Sequence, residues 1–506
     1  MRGLRRIRPW VQGGLLILFL ALLVASRMGQ RSGAGLFFWF DPLVGLANSI
    51  AGRTFHTTWL WAIFTLFLTL LLGRVWCGWI CPLGSVLDAM PGPAERKASR
   101  DPSPRLRRLK YLILFFILSA AILGNLTLIF LDPITLLYRT VTLALWPAVV
   151  WGINGLEAIL YKIPFLQGII NSFDQLVRGR IIPSEMPIYP GAVLIAVVFA
   201  AVLALNRVRK RFWCRYLCPL GALLGLISRL AWIRRIVGEN CKACHLCARS
   251  CPMGTIDPDR GHQSDPAECI VCLDCIPPCP TAAQTFGHGR AKTQGRWEYD
   301  PKRRHVLGSI GLAVAGTGVL SLEPVVRGRS LPLRPPGVND QEEFLSKCIR
   351  CGLCMRVCPT GALQPSIGES GWVGFWTPVF VPRLGYCDYS CNACGQVCPA
   401  GAIPALNLEE KRKAVIGYAY IDRSRCIPWV SFRNCIVCEE MCPVPDKAIQ
   451  TEEVEVWAPD GQKVKVRRPH VIPERCIGCG TCEYHCPLSG EAAIRVKPAT
   501  DLSSFF

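Results

Sequence analysis

The chain carries 28 cysteines in 506 residues, and their spacing constrains it more than any other feature. All of them fall into short groups. The densest stretch, Cys241 to Cys279, contains CKACHLCARSCP and CIVCLDCIPPCP. Each half reads Cys-x2-Cys-x2-Cys-x3-Cys-Pro, the bacterial spacing that wraps a [4Fe–4S] cube. Three close thiolates bind one side of the cube, and the fourth Cys crosses to the sister cluster. The spacing therefore assigns Cys241, Cys244, Cys247 and Cys279 to one cluster, and Cys269, Cys272, Cys275 and Cys251 to the other. Disulfides in a secreted scaffold are the rival use of so many cysteines. Short internal gaps, each quartet closed by Pro, argue against them.

Four more quartets follow: Cys348, Cys351, Cys354 and Cys358; Cys387, Cys391, Cys394 and Cys398; Cys426, Cys435, Cys438 and Cys442; Cys476, Cys479, Cys482 and Cys486. The first and last are regular, while the middle two have a longer first gap. That order suggests a nested pairing, outer with outer and inner with inner, with sequential pairing as the alternative. Six [4Fe–4S] clusters are expected in total.

Composition places this chemistry at a membrane. The chain is 51% hydrophobic with net charge +21, and nearly all the excess charge precedes about residue 323. Lys and Arg flank apolar runs, as the positive-inside rule expects, so lipid rather than nucleic acid is the expected partner. The runs lie at about 11–25, 57–73, 111–131 and 191–206. The first could be a cleaved signal peptide; the continuing pattern favours a retained helix, with Arg2, Arg5, Arg6 and Arg8 in the cytoplasm.

These runs form one unit built twice. FFWFDPL (Asp41) answers LIFLDPI (Asp132), and RVWCGWICPLG (Cys77, Cys81) answers RFWCRYLCPLG (Cys214, Cys218). Both copies enter the membrane in the same sense, a parallel repeat, which sets the two Cys-x3-Cys-Pro turns on one side. The stretch TLALWPAVVWGINGLEAIL, with Glu157, reads as an interfacial or re-entrant helix pair, because another full crossing would put the basic residues 207–211 outside. Glu157 is a surface charge or part of a quinone pocket. Arg303 and Arg304 precede a mild apolar segment, about 306–322, twin-arginine-like in the broad sense. It reads as a fifth helix that carries the C-terminal region to the periplasm.

The expected architecture is an integral membrane α-helical half, four helices in two parallel repeats (1–235). A two-cluster α+β ferredoxin-like domain follows (236–290). The twin-arginine-like segment or fifth helix (301–325) leads to a four-cluster domain (326–506). Residues 1–290, with four helices, two Cys-x3-Cys-Pro motifs and a two-cluster ferredoxin, resemble the NapH type of membrane ferredoxin. NosR-like and CcoG-like proteins share parts of that core. Residues 301–506, with LPLRPPGVNDQEEFLSKCIRCGLCMRVCP and further quartets, resemble the NapG type. The resemblance implies a NapH–NapG fusion in the bacterial inner membrane. It also implies electrons passing from the quinone pool to a periplasmic or membrane-bound oxidoreductase, often through a cytochrome partner.

The chemistry read from the residues is one-electron transfer, which thiolate-bound cubes perform. Quinone is a candidate cofactor, and quinol dehydrogenase a candidate activity. Alternatives are a relay subunit without its own quinone site and a redox maturation factor for a metalloenzyme. No flavin is expected. CKACH also matches a haem attachment pattern, but both cysteines belong to a complete quartet, so no haem is expected. Cys77, Cys81, Cys214 and Cys218 are packing thiols, a dithiol pair, or ligands of a metal or cluster shared by the repeats. Asp41, Asp132 and His56 are candidates for quinol proton release near the outer face. Inner and outer clusters stand apart by a hydrocarbon core of about 30 Å, so something must bridge them.

Overall fold

The computed structural model describes residues 2–26, 33–90, 104–178, 182, 188–288, 307–308, 310–312, 314–316, 332–457 and 461–498. Two copies of one helical pattern make the N-terminal unit. The first runs α1 (Arg2–Ala25), α2 (Pro42–Gly52), α3 (Leu60–Leu72) and α4 (Pro82–Ala89). The second runs α5 (Arg108–Ile122), α6 (Pro133–Leu160), α7 (Ala192–Val208) and α8 (Pro219–Ser228).

The Asp-Pro pairs start helices for a local reason. Asp41 accepts from the Leu43 and Val44 amides at 2.9 and 3.2 Å, and Asp132 from Ile134 and Thr135 at 2.9 Å each. Each caps a helix whose first residue is Pro, where the missing N–H is no loss. Side chains on α1, α3 and α7 point outward: Ile17, Trp61, Phe64, Phe67, Val193 and Val197 are each more than half exposed. Such an apolar belt suits lipid rather than water.

Two helices, Gly3–Ala25 and Pro133–Leu160, are long and apolar enough to cross a membrane. A pair bent by 90°, Gly33–Trp39 with Pro42–Gly52, qualifies if counted as one span. The expected re-entrant pair around TLALWPAVVWGINGLEAIL is corrected: the stretch belongs to one continuous 28-residue helix. A π-turn at Val141–Leu145 ends two residues before Pro147. Its wider winding accommodates the Pro ring and missing N–H that would otherwise break the helix. The segment about 306–322 lies largely outside the described residues. Positions 307–308, 310–312 and 314–316 are helical, and Gly316 packs on Phe116 of α5.

The cysteine-rich modules contain only short helices and two-stranded sheets. In the first, Ile233–Val237 pairs antiparallel with Gln284–His288. In the C-terminal module, Leu363–Pro365 pairs with Pro378–Phe380, and Tyr418–Ile421 with Ile494–Lys497. A long hairpin, Ile449–Trp457 with Lys463–Val471, stands beside them.

The modules dock at opposite ends of α1. Near its start, Arg5 and Arg8 pair with Asp274 at 2.9 and 3.1 Å. Near its end, Arg356 donates to the Leu23 carbonyl at 3.0 Å. The 24 residues of α1 span about 36 Å at helical rise.

Candidate metal centres

Three small spaces are each lined by four cysteines: Cys251, Cys269, Cys272 and Cys275; Cys442, Cys476, Cys479 and Cys482; and Cys426, Cys435, Cys438 and Cys486. In each, three cysteines come from one quartet and the fourth from its neighbour. Cys348, Cys351 and Cys354 likewise gather with Cys398, and Cys387, Cys391 and Cys394 with Cys358. Cys247 lies beside Cys241 and Cys244.

The nested pairing is therefore corrected to a sequential one. The third quartet exchanges its last cysteine with the fourth, and the first with the second. The strands Leu363–Pro365 and Pro378–Phe380 turn the chain back on itself, returning Cys387 beside Cys358.

The donor set fits an iron–sulfur core. Burial pushes the Cys275, Cys387 and Cys438 thiols up to about 12 and Cys426 up to about 11. Four thiolates in such a space need a cationic core among them. Backbone amides already aim at sulfur: Ala448 N–H at Cys442 and Ala419 N–H at Cys476, both at 3.4 Å. Such bonds tune cluster potentials.

Sequence reasoning missed Arg139 of α6. It is 1% exposed, and all three guanidinium nitrogens lack hydrogen-bond partners. Its guanidinium lies 3.8 Å from the Trp376 ring centre and within electrostatic reach of Cys351. A buried cation without an anion is costly; a cluster on Cys351 would supply the negative charge. Its only sequence signal is a lone Arg in an apolar run.

The Cys-x3-Cys-Pro turns do meet. Cys77, Cys81, Cys214 and Cys218 are all buried, undisulfided and mutual neighbours. The remaining candidates are placed as follows. Asp41 and Asp132 are fully buried and neighbour one another where the repeats meet. His56 packs against Gly401 of the C-terminal module. Glu157 is ion-paired with Arg178. His245 contacts His262 at 3.0 Å.

Grouped thiols, amide-to-sulfur bonds and paired quartets define a ferredoxin-type iron–sulfur protein. Residues 55–100 and 189–238 match one 4Fe-4S binding domain family, and residues 344–364 and 469–488 another. The methylamine utilization ferredoxin-type protein MauM of Methylorubrum extorquens is 36% identical over 211 residues, 39% of this chain and 90% of MauM. The ferredoxin-type protein NapG of Escherichia coli is 35% identical over 193 residues, 37% of this chain and 80% of NapG. The chain belongs to this MauM and NapG family of ferredoxin-type proteins. The E. coli protein YccM is 28% identical over 223 residues, 43% of this chain and 51% of YccM. No solved structure matches.

Proposed function

We propose that the chain is an inner-membrane electron conduit, a NapH-like membrane ferredoxin fused to a NapG-like polyferredoxin. It carries six [4Fe–4S] clusters on the 24 quartet cysteines. It takes electrons from quinol and delivers them to a periplasmic or membrane-bound oxidoreductase or a cytochrome partner. The two-cluster module faces the cytoplasm and the four-cluster module the periplasm.

One observation carries the reading: two cysteine-rich modules sit at opposite ends of one helical unit whose outer side chains are apolar. The separation along α1, about 36 Å by helical rise, is comparable with a hydrocarbon core of about 30 Å. Arg5 and Arg8, ion-paired to the first module, are the charges the positive-inside rule would retain in the cytoplasm.

The test is anaerobic purification of the full chain, iron analysis and reduction by a short-chain quinol. At least about 24 irons per chain are expected from the quartets, with cube signals appearing on quinol addition. Iron far below that number would overturn the cluster assignment. Full iron without quinol reduction would leave a relay lacking its own quinone site. Protease should cut the C-terminal module in spheroplasts and spare it in inverted vesicles; the reverse pattern overturns the topology.

A further inference from the structure

We infer that electrons cross the C-terminal module out of chain order: first quartet, second, fourth, then third. The space lined by Cys426, Cys435, Cys438 and Cys486 is then the exit, where an oxidised one-electron protein acceptor is met. Given cubes on the quartets and electrons arriving from the helical unit, as proposed above, packing alone sets the entry, the route and the exit.

The entry lies at the joint with the helical unit. Gly352, between Cys351 and Cys354, sits against Thr142 and Leu143. Ile349 and Cys351 are buried in one apolar core with Phe38 and Tyr138, and Tyr138 is a neighbour of Cys351. Cys398, the fourth partner of that group, is followed by Pro399, whose Cβ would lie 3.1 Å from a Cβ on Gly35. The first group therefore borders the helical unit. Its exchange of Cys398 for Cys358 makes the second group its next neighbour.

Chain order would place the third quartet next, but the second touches the fourth. The Cys387 amide donates to the Cys479 carbonyl at 2.8 Å, so cysteines of the two groups are joined backbone to backbone. Their thiols are also within electrostatic reach. The chain leading to Cys387 is seated on the fourth quartet. Arg383 donates to the Glu483 and Cys486 carbonyls at 3.0 and 3.2 Å. The Tyr386 ring meets Tyr484 and His485 with centres 5.4 and 5.6 Å apart. A Cβ on Gly480 would lie 2.8 Å from Pro382 Cβ.

The third quartet is fastened to the fourth in turn. Tyr418–Ile421 pairs with Ile494–Lys497, and the Asp422 amide donates to the Ala493 carbonyl at 2.7 Å. Arg425 reaches the Glu491 carbonyl at 3.1 Å. Cys442 and Cys486 are exchanged between the two groups, and Cys438 is within electrostatic reach of Cys482.

Burial agrees with these places. Cys442, Cys476, Cys479 and Cys482 are each 8% exposed or less, as an interior relay requires. In the last group Cys435, Cys438 and Cys486 are partly exposed. Val430 and Met441 beside it are 50% and 42% exposed. The second group is partly exposed too, but an exit there would leave two groups without a use. Tunnelling falls steeply with distance, so each carrier serves the neighbour it touches. Every step moves one electron, oxidising one cube and reducing the next, and the last reduces the acceptor. No bond to the protein forms or breaks.

The test compares the full-length wild type with C476S/C482S and C435S/C438S, all purified anaerobically and reduced with dithionite. Each variant should lose about four irons. In C476S/C482S the cube of the third quartet loses its magnetic neighbour and should give an uncoupled spin-resonance signal of one spin per chain. In C435S/C438S no cube should become isolated. An uncoupled signal in C435S/C438S, or none in C476S/C482S, would overturn the order. Should a double variant lose further cubes, C438S and C482S mark the two signals for the same measurement, since a serine oxygen can hold iron and shift the spectrum of one cube. For the exit, ferricytochrome c serves as the probe acceptor. C435S/C438S should reduce it at least tenfold more slowly than wild type, and an unchanged rate would overturn the exit. A wild type that takes no electrons from quinol would instead sink the electron source proposed above, while the coupling pattern still decides the order.

Discussion

The two cysteine-rich modules are fastened to the same helical unit by different chemistry. The 236–290 module is held by carbonyl-directed hydrogen bonds, such as Arg107 to Gly254 at 2.8 Å, and, unlike the other, also by a buried charge network. Lys110 Nζ and Arg74 Nη1 reach Glu268 at 2.5 and 3.3 Å, and every partner is 3% exposed or less. The C-terminal module is held by neutral acceptors and rings. Asn48 donates to the Lys347 carbonyl at 2.8 Å, Tyr189 to the Met355 carbonyl at 3.1 Å, and Arg139 lies on Trp376. A buried charge network fails sharply when one member is lost, because the others remain unpaired in a poor solvent. A set of separate hydrogen bonds fails gradually. The first joint should therefore be brittle and the second tolerant.

The largest effect is expected from Glu268→Gln. It should destabilise the 236–290 module by about 3–5 kcal/mol, read as a lower unfolding temperature or as protease release of that module. Acid should imitate it in the wild type. Burial opposes ionisation of Glu268, yet Lys110, Arg107 and Arg74 outweigh it and hold the carboxyl below its usual range. Its stabilisation is complete above the unfolded value of about 4.3. It is lost as pH falls through the lower folded value. Loosening of this joint at neutral pH would contradict the account.

At the other joint, Arg356→Met removes a charged donor from the Leu23 carbonyl and should cost about 1.5–3 kcal/mol. Arg139→Met should leave the iron content unchanged but lower the midpoint of the cluster on Cys351. A drop of about 59 mV corresponds to tenfold for one electron, and redox titration followed by spin resonance measures it. An unchanged midpoint would mean that Arg139 does not serve that cluster. Tyr189→Phe is the mildest change, about 0.5–1.5 kcal/mol by thermal denaturation. A loss as large as that of Glu268→Gln would erase the contrast between the joints.

What could be read from the sequence follows the range of the forces involved. Quartet spacing is local, so the cysteine groups were evident from residue order. Their exchange of fourth cysteines is not local. It depends on the chain returning through Leu363–Pro365 and Pro378–Phe380, which spacing cannot express. The duplicated unit was legible because both copies keep Asp-Pro and Trp-Cys-x3-Cys-Pro. The continuous helix through Pro147 was hidden, since a π-turn leaves no clear residue signature. Arg74 and Arg211 were read only as charges flanking apolar runs. Their shared place, three residues before the first Cys of each motif, was the signal that each reaches across to the other repeat's turn. Asp41 and Asp132 read as residues near the outer face, and their burial against one another depends on packing between the repeats, which residue order does not express.

The N-terminal latch has a consequence for biogenesis. Arg5 and Arg8 leave the ribosome long before Asp274, which lies more than 260 residues further along the chain. Until then the Arg5 guanidinium is free to serve in an address that orients the nascent helix, while Arg8 has Asp88 as an earlier partner. Once Asp274 arrives they become a clasp. A bulky fusion placed ahead of Arg5 would therefore be tolerated during insertion and felt only at the last fastening.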